Sequence, residues 1–276
     1  MSDAMIGPVA PPELHVMTYN IRRRMDPALG RPADRWRARE PRLRRLLRAE
    51  RPSLLGTQEV MPSQLPALTE ALGPTYRVIG HGRDRDGQGE GTPILYDAER
   101  LELVSWEQIA LSNYPHLPGS RSWGNLVPRI AVCAEFRDRV TSARFLTINT
   151  HFDHLSRRSQ VRSAETLRRR VLSQSLPAIV MGDLNADADS LPVREMLRND
   201  DLRDVWAAAA RHASPLWGSF PNYGAVRWAA KRIDWITVTP GIEVHEAGIN
   251  ARRFDGRWPS DHLPVQAVLR VPATGA

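Results

Sequence analysis

Short apolar runs that end in oxygen or imidazole side chains recur along this chain. The run Ile179-Val180-Met181-Gly182-Asp183-Leu184-Asn185 predicts a buried strand that delivers Asp183 and Asn185 at its end. Alternation along an extended segment points these two side chains the same way and turns Leu184 toward the core. The same design recurs in His15-Val16-Met17-Thr18-Tyr19-Asn20, in Leu54-Leu55-Gly56-Thr57-Gln58-Glu59 and in Phe145-Leu146-Thr147-Ile148-Asn149-Thr150-His151. Pro259-Ser260-Asp261-His262, just before Leu263-Pro264-Val265, repeats it once more. Polar groups delivered by several strand ends predict one polar centre on a rigid scaffold.

Between these runs the pattern changes period. Leu43, Leu46 and Leu47 fall at helical spacing inside the arginine-dense stretch 35–48, which predicts an amphipathic surface helix with a solvated arginine face, closed by Pro52. Further helices are predicted over 63–72, 156–175, 193–199 and 203–210, and further strands over 76–80, 129–136, 143–150, 233–238, 243–249 and 265–271. Residues 93–96 and 101–104 resemble a hairpin pair, and 82–91 reads as loop. The Pro/Gly/Ser-containing connection 111–128 is long enough to suggest a functional role. The expected class is α/β: two mixed sheets packed face to face with helices outside. Residues 1–12 are expected to form a flexible leader, 13–272 one domain and 273–276 a tail.

Composition narrows the function classes. With 276 residues, 42% hydrophobic, the chain can bury a full core. No stretch approaches the roughly 20 apolar residues of a membrane span, and the N-terminus lacks a basic start followed by an apolar run. The single Cys133 lies in a strand-like run and has no intramolecular partner, which suits a reducing compartment, so a cytoplasmic monomer is expected. The net charge of +7 invites a nucleic-acid reading. Lys231 is the only lysine, however, and an arginine-, alanine- and proline-rich composition arises from coding bias without any ligand.

A hard divalent cation such as Mg2+ takes oxygen ligands and keeps several waters, so a carboxylate and an amide oxygen suffice as protein ligands. Glu59 and Asn20 fit that role. Asp183 is the natural activator of a water for in-line attack on a bound phosphate, and His151 and His262, at strand ends beside acids, suit proton transfer and charge stabilisation. No Cys/His cluster has zinc-like spacing.

Asn20, Gln58-Glu59-Val60, Asn149-Thr150-His151, Gly182-Asp183-Leu184-Asn185, Arg232-Ile233-Asp234 and Ser260-Asp261-His262 occur in the order of the endonuclease/exonuclease/phosphatase superfamily, which has the DNase I-like fold. The resemblance runs from about His15 to Val271. It is strongest to a bacterial branch of metal-dependent phosphoesterases, through Gly89-Glu90-Gly91-Thr92-Pro93-Ile94-Leu95-Tyr96, Pro118-Gly119-Ser120-Arg121-Ser122-Trp123, Pro128-Arg129-Ile130 and the segment Thr150-His151-Phe152-Asp153-His154. The resemblance implies a four-layered α/β sandwich and a Mg2+- or Mn2+-dependent phosphoric ester hydrolase. Its metal ligands would be Glu59, Asn20 and Asp261. Asp183 would align water, Asn185 would hold the phosphate or that water, and His262 would contact the phosphate, paired with Asp234. His151 would be the other catalytic histidine with Glu90 as its carboxylate partner, and Arg129 would bind phosphate. Thr92 departs from the asparagine common in that branch.

Fold does not choose the substrate. A small or sugar-containing phosphoester is favoured over DNA or RNA because no dedicated DNA-grasping insertion is visible. That reading predicts a pocket narrowed by residues 111–128 and 214–230 with arginines inside. A non-catalytic binding module is the weaker alternative, because Asn20, Glu59, Asp183, Asn185, Asp261 and His262 are all present.

Overall fold

The computed structural model describes residues 3–26 and 31–273. In chain order its elements are β1 (Leu14–Asn20), α1 (Trp36–Glu50), β2 (Leu54–Gln58), α2 (Leu65–Leu72), β3 (Tyr76–Ile79), β4 (Ile94–Asp97), β5 (Leu101–Ala110), β6 (Ile130–Asp138) and β7 (Arg144–His151). They continue with α3 (Arg157–Leu172), β8 (Ala178–Asp183), α4 (Leu191–Met196), β9 (Arg203–Asp204), α5 (Val205–Ala208), β10 (Arg211–His212), β11 (Asp234–Val238), β12 (Glu243–Ile249) and β13 (Val265–Arg270).

Two mixed sheets result. One has the strand order β10-β12-β13-β1-β2-β4-β3 and the other β5-β6-β7-β8-β11-β9. Three apolar cores separate four layers. Val16, Leu54, Val132, Met181, Ile236 and Val265 fill the space between the sheets. Leu43, Leu46, Leu47 and Leu68 pack α1 and α2 onto Met17, Tyr19 and Leu55 of the first sheet. Ala164, Leu167 and Val171 of α3 and Val193 and Met196 of α4 cover Ile148 and Val180 of the second. This is the expected four-layered sandwich. The central strands β1 and β8 are buried on both faces, which is why apolar residues occupy successive positions in Val16-Met17 and Ile179-Val180-Met181.

Two details align the strand ends. Gly182 has φ +149°, and a Cβ there would lie 2.1 Å from the Thr150 carbonyl oxygen of parallel neighbour β7, so only glycine lets β8 pair this closely. Between the sheets, fully buried Asn149 donates to the carbonyls of Thr57, Thr92 and Pro93 and accepts from Gln58 Nε2 at 2.7 Å, tying β7 to β2.

Several local expectations change in three dimensions. The expected hairpin of 93–96 with 101–104 does not form: β4 pairs with β2 and β3, while β5 lies in the other sheet against β6. The helix expected over 203–210 shortens to α5, preceded by the two-residue β9 on β11. The arginine face of α1 is not wholly solvated. Arg39 is 0% exposed and donates to the carbonyls of Asp34, Ile21, Pro259, Arg22 and Arg23, so backbone dipoles from three separated segments replace its water. The leader expected over 1–12 is anchored where it is described, with the backbone N–H groups of Met5, Ile6 and Gly7 donating to Glu50. Of the expected tail, residues 274–276 lie outside the described residues.

Candidate active site

Strand register assembles the site. In the second sheet Asp183 of β8 stands opposite Asp234 of β11 on one side and His151 of β7 on the other, so three ionisable groups share one row. In the first sheet Asn20, at the end of β1, is the register partner of Gln58 of β2, and Glu59 follows directly. Asn20 bridges the two sheets: its Nδ2 donates to Glu59 Oε1 at 3.1 Å and to Asp183 Oδ2 at 3.0 Å. Ser260 donates to the Asn20 carbonyl at 2.7 Å, which docks the Ser260-Asp261-His262 turn beside it.

Backbone strain accompanies this convergence. Arg22, Glu59 and Asn185 have φ of 58°, 59° and 49°, a left-handed conformation that non-glycine residues rarely adopt and that concentrates at functional sites. Asn185 therefore reaches the cleft through a left-handed turn rather than by continuing β8. Its N–H donates to Asp183 Oδ1 at 2.8 Å, and its Nδ2 meets His151 Nε2 and the Phe152 carbonyl, both at 3.0 Å.

Electrostatics separates the titratable groups into distinct roles. Burial, reinforced by Asp234, pushes the Asp183 carboxyl up to about 7. Burial alone would discharge His262, but Asp234, Asp183 and Asp261 outweigh it and hold the imidazolium to about 10; Nδ1 lies 2.9 Å from Asp234 Oδ2. His151 moves the other way, because burial and the nearby Arg129 charge hold it well below the ordinary histidine value. Burial also opposes ionisation of Glu59, yet the Arg22 guanidinium, the Arg23 N–H and the His262 charge overcome it and keep the carboxyl at about 2. Asp261 is raised by burial and by Glu59. The structure thus holds a charged His262, a neutral His151 and a carboxylate poised near neutrality in one cluster.

The cleft has a volume of about 540 Å³ and is lined by Glu59, Glu90, Asp183, Asn185, Asp261, His151 and His262 among the expected residues. Asn20 and Asp234 lie just beneath, fully buried and bonded to these groups. Val127 from the connection 111–128 and Phe220 from 214–230 also line the cleft, and Phe220 packs on the His262 ring at 4.7 Å. Arg129 lines the cleft as expected. Its guanidinium is held by Asp153 Oδ2 at 3.3 Å and His154 Nδ1 at 3.1 Å, which gives the Asp153-Phe152-flanked pair of polar residues a place in the site. Thr92 is buried away from the main cleft wall.

One expected contact fails. Glu90 is not hydrogen-bonded to His151; its two oxygens are taken by Arg23 at 3.0 Å and by Arg83 of its own loop at 2.8 Å. Arg22, Arg23 and Arg83 are cleft residues that the sequence reading did not single out. The signal for Arg22 and Arg23 was their position directly after the Asn20 strand end; Arg83 carried none beyond sharing a loop with Glu90. Asp234 pairs with His262, while Arg232, two residues before it, pairs with Asp204.

Asp183, Asp234 and His262 offer ligand atoms all within 4.8 Å of one another. Since His262 Nδ1 is committed to Asp234, this trio is better suited to relaying and stabilising a proton than to enclosing a cation.

Comparison with known proteins supports the reading built from these residues. None of the curated proteins compared with the chain matches it. Among solved structures, an endonuclease/exonuclease/phosphatase family protein of Bacteroides thetaiotaomicron is 30% identical, with 96% of this chain and 100% of that chain covered and a TM-score of 0.87. The mannosyl-6-phosphatase Bt3783 of Bacteroides thetaiotaomicron is also 30% identical, covering 93% of this chain and 99% of its own, with a TM-score of 0.86. The human Nocturnin catalytic domain, at 17% identity over 94% of this chain and 93% of that one, shares the fold with a TM-score of 0.69. The family model described as Endonuclease/Exonuclease/phosphatase family matches residues 17–262, and the chain belongs to that family of phosphoesterases and nucleases.

Proposed function

We propose that this protein is a divalent-cation-dependent phosphatase of small, hydroxyl-bearing phosphate esters. The observation that carries this reading is the shape and lining of the cleft: about 540 Å³, walled by Val127 and Phe220, with Arg22, Arg23, Arg83 and Arg129 inside. These are the features expected of a site for a small dianionic ester. The Bacteroides thetaiotaomicron neighbour is a mannosyl-6-phosphatase, which favours the same reading.

Asn20, Glu59 and Asp261 would hold the cation. They fit a hard one, since half-buried Glu59 and buried Asp261 are oxygen donors that share Arg22 at 3.6 Å each and Asn20 adds an amide. When bound, Mg2+ or Mn2+ supplies charge neutralisation at the phosphate oxygens. Asp183, poised near neutral pH, takes a proton from the attacking water, which Asn185 orients, as the ester P–O bond breaks and the departing alkoxide takes a proton from solvent. His262, kept protonated by Asp234, donates to a phosphate oxygen where charge accumulates. Arg129, fixed by Asp153 and His154, grips the ester's remaining oxygens through its fork. His151 stays neutral and accepts from Asn185 Nδ2 through its Nε2 at 3.0 Å, which holds the Asn185 side chain in place.

The test is turnover of mannose 6-phosphate, p-nitrophenyl phosphate, an aryl phosphodiester and single-stranded DNA by one preparation with Mg2+ or Mn2+. Monoester hydrolysis that stops on chelation and exceeds cleavage of DNA is expected. Efficient, steeply salt-dependent cleavage of DNA with inert monoesters would assign the site to a nuclease instead.

A further inference from the structure

A second cavity, of about 400 Å³, shares no lining residue with the catalytic cleft. Ala33, Tyr223, Gly224, Ala225 and Gly256 form its uncharged wall; Arg42, Arg253 and Arg257 supply cations, and Trp258 closes it. We propose that this cavity is a binding site for a phosphate-type oxyanion, distinct from the site of hydrolysis.

The argument begins with unmatched charge. Arginines elsewhere on this surface are commonly paired with carboxylates, as Arg44 is with Glu40 and Glu70 and Arg45 with Asp3 and Asp255. Among the described residues, Arg42, Arg253 and Arg257 have no carboxylate within ion-pair distance, and no acid lines the cavity. Three guanidinium groups around one concavity repel one another unless an anion joins them. Planar guanidinium forks match a tetrahedral or planar oxyanion better than a halide, because two parallel N–H bonds reach two oxygens.

An independent observation concerns donors with no acceptor. Trp258 is 6% exposed, yet its indole Nε1 has no hydrogen-bond partner, and neither does the buried Nε of Arg42. Trp258 and Arg42 thus each bring to the lining of this cavity a donor that no protein acceptor meets. Arg253 lies over the Trp258 ring at 4.0 Å, which occupies that aromatic face and leaves the cavity suited to the anionic group rather than to a stacked base.

The cavity is also physically joined to the cleft. The Tyr223 hydroxyl donates to Asp34 Oδ1 at 3.1 Å, and Arg22 Nε contacts the same oxygen at 3.2 Å before reaching Glu59 and Asp261. The Asn222 N–H donates to the Asp261 carbonyl at 3.0 Å. An oxyanion settled against Tyr223 therefore stands one residue from the chain of contacts that positions the catalytic carboxylates.

The experiment follows the Trp258 indole N–H by 15N-correlated NMR during titration with inorganic phosphate in the presence of EDTA, so that it needs no turnover. Trp258→Phe identifies the resonance among the eight tryptophans. A saturable shift with phosphate, absent with chloride at equal ionic strength, is expected. Affinity should weaken roughly tenfold or more in Arg253→Ala/Arg257→Ala, whose altered side chains are exposed, and less in Arg257→Ala alone. Glucose 6-phosphate in place of phosphate separates the two sources: equal affinity assigns the cavity to the free anion, and tighter binding to a phosphorylated organic ligand. An unmoved indole, an equal response to chloride, or unchanged affinity in the double variant overturns the proposal. Because the readout is independent of hydrolysis, its failure leaves the catalytic reading standing, and the reverse also holds.

Discussion

Strand β1 carries a buried polar residue near each end, His15 at its start and Asn20 at its finish, and the carboxylates beside them live under opposite rules. Glu50, near His15, accepts from the N–H groups of Met5, Ile6 and Gly7 and from Asn250 Nδ2, at 2.6, 3.2, 3.0 and 2.8 Å. Its oxygens are filled by neutral donors of the fold itself. Asp183, bonded to Asn20, instead faces Asp234, His151 and His262 across a solvent-connected cleft, and burial leaves it near neutrality. The two histidines divide in the same way. Burial lowers His15 to about 4 despite the attraction of Glu50, whereas Asp234 and its neighbours hold His262 at about 10. Burial alone therefore does not mark a functional carboxylate. What marks it is capacity left over for a ligand after the protein's own donors are counted.

The largest effect is expected from the open cluster. Asp183→Asn is isosteric, and it should lower kcat by roughly 10²–10⁴-fold, the range for loss of a general base, while leaving the melting temperature nearly unchanged. Stability should change little, since relief of the buried charge beside Asp234 offsets the loss of one of the two acceptors that meet Asn20 Nδ2 and the Asn185 N–H. Retained turnover would remove Asp183 from the chemistry. His262→Asn should fall in a similar range, with steady-state rates on the best monoester as the measurement.

Glu50→Ala reverses the pattern. It strands three backbone N–H groups and the Asn250 amide in a buried site, which should cost about 3 kcal/mol in chemical denaturation. Below the melting transition, kcat should match that of the wild type. A fall in kcat at full folding would dissolve the distinction between the two ends of β1.

The most diagnostic effect concerns pH. A folded value of about 4 against an ordinary 6.5 means that the fold prefers neutral His15. Its stabilisation is fully present above about 6.5 and is lost as pH falls through about 4, by up to roughly 3 kcal/mol. His262 has the opposite sign: its contribution is full below 6.5 and fades as pH climbs toward 10. Unfolding free energies measured from pH 7 to 4 should show an acid limb that flattens in His15→Phe. An unaltered limb would show that His15 is not buried as a neutral group.

The polar strand ends were legible because alternation and chain direction are local properties. A run such as Ile179–Gly182 in a buried strand can place Asp183 only at its end, and the same logic located Asn20, Glu59, His151 and His262. The four layers were also readable, as both-face burial and helical leucine spacing leave few other arrangements. Tertiary structure alone decided which groups satisfied one another. Nothing near Arg39 in sequence distinguished it from the solvated arginines of α1, because most of its acceptor carbonyls, those of Ile21 to Arg23 and Pro259, belong to other segments. Glu90 was assigned to His151 and instead joined Arg23 and Arg83; β4 and β5, adjacent in the chain, separated into different sheets. Hydrophobic period is written residue by residue, whereas the partner of a buried charge depends on which distant segments reach it first, and only the packed chain determines that.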